Sequence, residues 1–242
     1  MKLALISDIH ANLEALEAVF RDMDHRNVDK VHCLGDVIGY GCDPVACLDL
    51  VDRKCEVKLM GNHEYAVIGL VPMEAMNRYA RASIVWTQGQ LGDREISMVA
   101  DYDLRAKLDS ALMVHSSPFE PDEWHYIFTE REAVKGFENF KERLGFHGHT
   151  HVPIVFCETP TGRLRTTVGH DFDPDEESRY LINVGSVGQP RDDDPRACYV
   201  IYDTSEQSVY YHRVEYDIKA TQAKMSRAEM PQMLIERLEV GR

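Results

Sequence analysis

Residues 2–25 read KLALISDIHANLEALEAVFRDMDH. KLALIS (2–7) is a short apolar run of the kind that forms a buried strand. NLEALEAVFRDMDH (12–25) has a different period. Leu13, Leu16, Val19, Phe20 and Met23 fall on one helical face, and Glu14, Glu17, Arg21 and Asp24 lie off it. Asn12 is placed to cap that helix. Between strand and helix stands Asp8-Ile9-His10. The unit then recurs: VHCLG (31–35) reads as a strand, DPVACLDLVDR (43–53) as a helix opened by Asp and Pro, and EVKLM (56–60) as a third strand. A β-α-β-α-β order predicts a parallel sheet with helices packed on it.

Downstream, residues 74–100 read as helical, with Met76, Tyr79, Ala80, Ser83, Ile84 and Trp86 partly periodic. ALMVH (111–115) is a further strand, and TERE (129–132) is a capping-box pattern opening a helix to about Phe140. From residue 152 the texture changes. VPIVFCE, RLRTTV, RYLINVG, ACYVIYD and SVYYHRVEY are short strands divided by Gly, Pro and Asp, which predicts antiparallel pairing in a second sheet. DFDPDEESR (171–179) reads as a solvated acidic loop, and the tail from Ile218 as helical. With no internal repeat and no linker-like stretch, one domain over residues 1–242 is expected.

The composition, 44% hydrophobic and 28% charged, is that of a globular protein with a sizeable core. No apolar run approaches the ~20 residues that cross a bilayer, and the apolar run after Lys2 is too short for a signal-peptide core, so a cytoplasmic, membrane-free protein is expected. The formal charge of −14 disfavours a long nucleic acid as partner. A small phosphorylated substrate stays open, because a bound cation can reverse the local sign. Six cysteines form no C-x-x-C pair and read as small buried hydrophobes.

The polar residues fall at strand ends. Asp8 and His10 follow the first strand, Gly35-Asp36 the second, and Gly61-Asn62-His63-Glu64 the third. His115 closes 111–115. In GFHGHTHVP (145–153) histidines recur at 147, 149 and 151, and an extended backbone would send all three imidazoles to one side. Sites in open α/β sheets form outside the carboxyl ends of strands. A lone Asp after a strand is usually a turn residue, but five consecutive strand ends carrying ligand chemistry make that a repeated coincidence. Asp, His and Asn without thiolate suit borderline-hard ions such as Mn²⁺, Fe²⁺ or Zn²⁺. Seven ligands suit two ions sharing a bridge, an arrangement that clamps the attacking and leaving oxygens of phosphoester hydrolysis.

In this order, D-x-H (8–10), G-D-x-x-G-Y (35–40), G-N-H-E (61–64), a strand-ending His115 and G-H-T-H (148–151) resemble the calcineurin-like metallophosphoesterase superfamily. INVGSVGQPRD (182–192) resembles its small bacterial and archaeal phosphodiesterase and phosphatase branch. The resemblance implies an α/β/β/α sandwich, two mixed β-sheets flanked by helices, and a dinuclear site. By the same resemblance Asp8, His10 and His151 would hold one ion, Asn62, His115 and His149 the other, and Asp36 would bridge them. Two divalent ions, Mn²⁺ or Fe²⁺/Fe³⁺ ahead of Zn²⁺, Ni²⁺ or Co²⁺, are implied, with attack by a bridging hydroxide. His63 would face the leaving group as general acid. His147 matches no ligand position and reads either as a residue that supports the ligands from behind or as the next residue back on the strand.

The GD motif continues as GDVIGYG, without the Asp-Arg pair of the superfamily's protein serine/threonine phosphatases. Arg191, Arg78 and Arg81 are candidate phosphate-gripping residues, Asn12 is a candidate substrate contact as well as a cap, and Trp124-His125-Tyr126 could line a binding wall. The expected activity is hydrolysis of small phosphodiesters, phosphomonoesters or nucleotides. The competing readings are a catalytically silent scaffold on the same fold, a dinucleoside polyphosphate hydrolase, and a protein phosphatase.

Overall fold

The computed structural model describes residues 1–72, 76–108 and 111–242. In chain order its elements are β1 (Lys2–Ile6), α1 (Leu13–His25), β2 (Lys30–Cys33), α2 (Pro44–Lys54), β3 (Val57–Lys58), α3 (Asn62–Val67), α4 (Arg78–Gln88), α5 (Asp93–Ala100), β4 (Arg105–Leu108), β5 (Ala111–Val114), α6 (Glu130–Glu138), β6 (Leu144–His147), β7 (Ile154–Glu158), β8 (Leu164–Val168), β9 (Arg179–Asn183), β10 (Ala197–Asp203), β11 (Ser208–Val214), α7 (Ile218–Arg227) and α8 (Gln232–Glu236). One sheet has the order β11-β10-β1-β2-β3 and the other β4-β5-β6-β9-β7-β8.

β1, β2 and β3 pair in parallel, as the βαβ pattern requires. The strands after residue 152 do not form the second sheet by themselves. β10 pairs antiparallel with β1, and β11 extends that first sheet. All seven residues of β10 are buried, which suits a strand inside a sheet covered on both faces. β9 pairs in parallel with β6 and antiparallel with β7, so the second sheet is mixed as well. The third strand is shorter than 56–60 because the chain leaves β2 at Leu59, where the Met60 amide turns to the Asp103 carbonyl. The helix expected over 74–100 is two, α4 and α5. Gly89 ends the first, and Gly92 opens the second with its amide on the Glu95 carboxylate at 2.9 Å. Residues 74 and 75 of that expectation lie outside the described residues.

Period-two alternation along β1 divides the core. Ala4 and Ile6 face α1 and α2, in a cluster with Leu16, Val19, Leu48 and Val51. Leu3 and Leu5 face the other way and meet Met113, Leu144, Phe146 and Ile182 of the second sheet. On that sheet's outer side Leu112, Val114, Phe156 and Leu181 pack under Ala133 and Phe137 of α6. Three apolar interfaces separate four layers, the α/β/β/α sandwich. The acidic segment 171–179 is tied down locally rather than free: Asp171, Asp173 and Asp175 accept from the Tyr211 amide, the Ser208 hydroxyl and the Tyr180 hydroxyl. No helix among the described residues is long and apolar enough to cross a membrane.

Candidate metal centre

The carboxyl ends of β1, β2, β5 and β6, with the start of α3, converge where the two sheets meet. Asp8, His10, Asp36, His115, His149 and His151 are all buried there. Three overlapping groups offer ligand atoms within 4.8 Å of one another: Asp8, His10 and His151; His10, Asp36 and His63; Asp36, His115 and His149. The histidines at 149 and 151 reach the site by a different route from the extended one. β6 ends at His147, and His149 and His151 take left-handed backbone angles, φ 66° and 59°. Asp8, His10 and Asp36 do the same, at 53°, 49° and 52°. Left-handed residues other than glycine cost energy and persist where the surroundings impose them. Here the imposition is visible: the amides of Asp8, His10 and Ala11 bond to the carbonyls of Gly35, Asp36 and Val37, zipping two strand-end loops together.

Each aspartate divides its oxygens. Asp8 Oδ2 accepts the His149 amide at 2.9 Å, and Oδ1 is buried without a hydrogen-bond partner. Asp36 Oδ1 accepts the His63 amide at 2.9 Å, and Oδ2 lies 3.7 Å from His10 Nε2 and 3.4 Å from His115 Nε2. One oxygen fixes a histidine-bearing loop and the other faces the cluster. The imidazoles are divided the same way. Nδ1 of His10, His115 and His151 meets the carbonyls of Ile38, Leu34 and Gln189, at 3.2, 2.9 and 2.6 Å, which turns Nε2 inward. His149 is reversed, with Nε2 on the Trp124 carbonyl at 3.0 Å and Nδ1 free. A backbone acceptor on the outer nitrogen is what orients metal-binding histidines. Asn62 Oδ1 and His115 Nε2 are buried and unpartnered. A cation between these atoms satisfies all of them, so the residues present fit a metal.

Charge is concentrated accordingly. Burial would raise Asp8, but the charge of His151, whose Nε2 lies 3.2 Å from Oδ1, carries its carboxyl well below the usual range. Asp36 goes the same way through His115 and His63. Burial disfavours a charged His115, yet Asp36 beside it raises that imidazole to about 9. Burial and neighbouring imidazoles hold His63 down to about 4 and His149 to about 3, the neutral form that ligates metal.

His63 and Glu64 follow Asn62 in α3. The His63 imidazole lies 4.7 Å from His10 and 4.5 Å from Tyr40, ring centre to ring centre. Gly39, at φ +83°, has no room for a Cβ, which would overlap His63 Nδ1. Glu64 is not the carboxylate partner of His63. Its oxygens accept the amides of Asp36, Val37, Ile38 and Gly61, at 2.8, 2.8, 3.1 and 2.8 Å. Burial and the Asp36 charge push its carboxyl up to about 7, while those amides pull towards ionisation. Glu64 thus holds the loop carrying Asp36 onto the start of α3. The sequence signal was present: a helix opening with Glu at its third residue reaches back to the cap. Glu64→Gln replaces one acceptor oxygen by an NH₂ that faces two amides. It is expected to cost about 2–4 kcal/mol of stability, read as a lower midpoint in urea at unchanged slope.

His147 stays on its strand, with Nδ1 3.3 Å from the Asn183 amide, in none of the three clusters. Asn12 is a cap and a tie. Its Oδ1 accepts from Ala15 N and the Thr221 hydroxyl, and its Nδ2 donates to the Gly188 carbonyl. Those bonds engage its side chain inside the protein, in the capping role its position predicts. Arg78 and Arg81 are exposed on α4. Arg191 is at the site, its guanidinium 5.7 Å over the Tyr40 ring. Tyr126 stacks on His149 at 4.1 Å, and Trp124 and Tyr126 line a cleft of about 280 Å³ with Asn62, Tyr40 and Met76. Tyr40 and Gln189 lie inside sequence motifs without a role of their own there, although each touches a residue of the site.

Residues 1–207 match the family model of the calcineurin-like phosphoesterase superfamily domain. An uncharacterized protein of Methanocaldococcus jannaschii is 38% identical over 245 residues, 99% of this chain and 98% of that protein. A crystal structure of a metallophosphoesterase from Sphaerobacter thermophilus is 40% identical, with a TM-score of 0.89 over 100% of this chain and 99% of that one. A hypothetical protein of Pyrococcus horikoshii, 16% identical with a TM-score of 0.78 over 100% of this chain and 98% of that one, shares the fold.

Proposed function

The chain belongs to the calcineurin-like phosphoesterase superfamily and is a phosphoric ester hydrolase, and from that premise we propose that it cleaves small phosphodiesters, phosphomonoesters or nucleotides at a two-metal centre. One observation carries the reading: Asp8, Asp36, Asn62, His10, His115, His149 and His151 each aim a ligand atom inward, while most of their other polar atoms are taken by backbone. In this reading Asp8, His10 and His151 would hold one ion and Asn62, His115 and His149 the other, with Asp36 shared between the two sets. Mn²⁺ or iron fits the oxygen and nitrogen donors. Such ions, when bound, supply Lewis acidity, an activated water and neutralisation of the phosphoryl charge.

The chain's own groups do the rest. Asp8 and Asp36 supply two negative charges, and the neutral Asn62 carbonyl preserves attraction for an anion. His63, packed on Tyr40 and His10, faces the leaving oxygen. A bound phosphoryl anion favours its protonated form, and it then donates that proton to the departing alkoxide. Arg191 meets the substrate. The GDVIGYG run, which lacks the Asp-Arg pair of the protein serine/threonine phosphatases, and the absence of a basic stripe in the sequence favour small molecules over phosphoproteins and long nucleic acids. Hydrolysis of bis-p-nitrophenyl phosphate or p-nitrophenyl phosphate by the Mn²⁺-loaded protein, lost on chelation and restored by metal, is the expected result. Silence across Mn²⁺, Fe²⁺, Co²⁺, Ni²⁺ and Zn²⁺ on a broad ester panel leaves only the scaffold reading standing.

A further inference from the structure

Arg191 and Arg237 both donate to one neutral atom, Gln189 Oε1, at 2.8 and 2.9 Å. Two cations so close repel, and an amide oxygen does not neutralise them. The surrounding carboxylates are engaged elsewhere. Asp192, Asp193 and Asp194 directly follow Arg191, yet they pair with Arg213, Arg242 and Arg196. Near Arg237, Glu239 pairs with Lys219, and Glu236 takes the Gln232 amide. Among the described residues no side-chain carboxylate forms an ion pair with either arginine, in a chain whose net charge is −14, although Arg237 Nε donates to the main-chain oxygen of Arg242. Arg191 Nε is also buried without a partner. The pair is attached to the cage through backbone and ring. The Gln189 carbonyl holds His151 Nδ1, the Arg191 amide bonds to the His151 carbonyl at 3.2 Å, and Arg191 lies over Tyr40, whose ring touches His10 and His63.

We propose that Arg191 and Arg237, joined through Gln189 at the edge of the histidine cage, form a subsite for a second phosphoryl group, so that the ester cleaved carries another phosphate beside the scissile one. The proposal rests on reading the cage as a two-ion site. There the ions bring +4 and the two aspartates −2; the remaining +2 is met by one phosphodiester and the nucleophile attacking it. The two arginines are in excess of what a single phosphoryl group needs, and their charge matches a terminal phosphate. Guanidinium forks suit phosphate oxygens in shape as well as sign. Burial and the neighbouring Arg191 charge lower Arg237 to about 10, a penalty that an anion relieves.

Isothermal titration of inorganic pyrophosphate into the metal-stripped full-length protein reads the subsite without turnover. The wild type is expected to bind, Arg237→Gln to bind about ten-fold or more weakly, and Arg237→Lys, which keeps the charge and loses the fork, to fall between. No binding by the wild type, or equal binding by all three proteins, overturns the proposal. In the metal-loaded protein the preference in kcat/KM for adenosine 3′,5′-bisphosphate over adenosine 5′-monophosphate is expected to fall about ten-fold in Arg237→Gln; an unchanged preference also overturns it. Failure to hydrolyse any ester removes the phosphoesterase reading instead, and the pyrophosphate titration then decides the subsite alone.

Discussion

Asp36→Asn is expected to lower kcat/KM on bis-p-nitrophenyl phosphate by more than about 10³-fold, and bound metal from about two ions per chain to one or none. The substitution preserves shape, so the effect isolates charge. Asp36 Oδ2 stands between His10 on one side and His115 on the other, and Oδ1 fixes the His63 amide. An amide can serve the second task with its oxygen, but its NH₂ would then face any cation bound there. It can instead turn its oxygen inward and abandon the His63 loop. Either way one of two coupled duties fails, and the rate falls further than the loss of one ligand to one ion would require. The loss is stronger than at an outer hydrogen-bond partner, where affinity changes of about 10–100-fold are usual. An Asp36→Asn protein that retained both ions and most of its activity would remove Asp36 from the bridging position and with it the two-ion reading.

The strand-end placement of Asp8, His10, Asp36, Asn62, His115, His149 and His151 was legible because it depends on local pattern alone. Apolar runs end, and a polar residue follows. The outward path of the chain after those ends was not legible. His149 and His151 alternate as a strand would, yet the backbone turns left-handed at both, because the Asp8 carboxylate captures the His149 amide from 141 residues away. The division of the late strands between sheets was hidden for a related reason. ACYVIYD shows a buried strand, but only the pairing with β1, across nearly the whole chain, tells which sheet buries it. The freedom of Arg191 is the most distant case. From sequence it is a candidate phosphate contact followed by three aspartates; only the fold shows that Arg213, Arg242 and Arg196 claim those aspartates. Glu64, by contrast, left a readable cap signal, and what the pattern could not give is that the amides it holds include three from the Asp36 loop.

His63→Gln is expected to slow turnover of an alkyl phosphodiester by about 10²–10⁴-fold while leaving the metal content unchanged. The distinction matters because His10, Asp36 and His63 also place ligand atoms within 4.8 Å of one another, so the imidazole stands close enough to be a ligand itself. Its Nδ1 is buried without a partner beside Gly39, and its ring rests on Tyr40 and His10. As a proton donor it matters in proportion to the basicity of the leaving oxygen. A nitrophenolate departs without a proton and an alkoxide does not. The loss should therefore be large on methyl or glyceryl esters and much smaller on bis-p-nitrophenyl phosphate. A ligand role predicts the opposite signature: metal is lost, and both leaving groups suffer alike. Comparing the two substrates on one preparation of known metal content separates the roles, and an equal loss on both, with metal retained, sinks the proton-donor assignment as well.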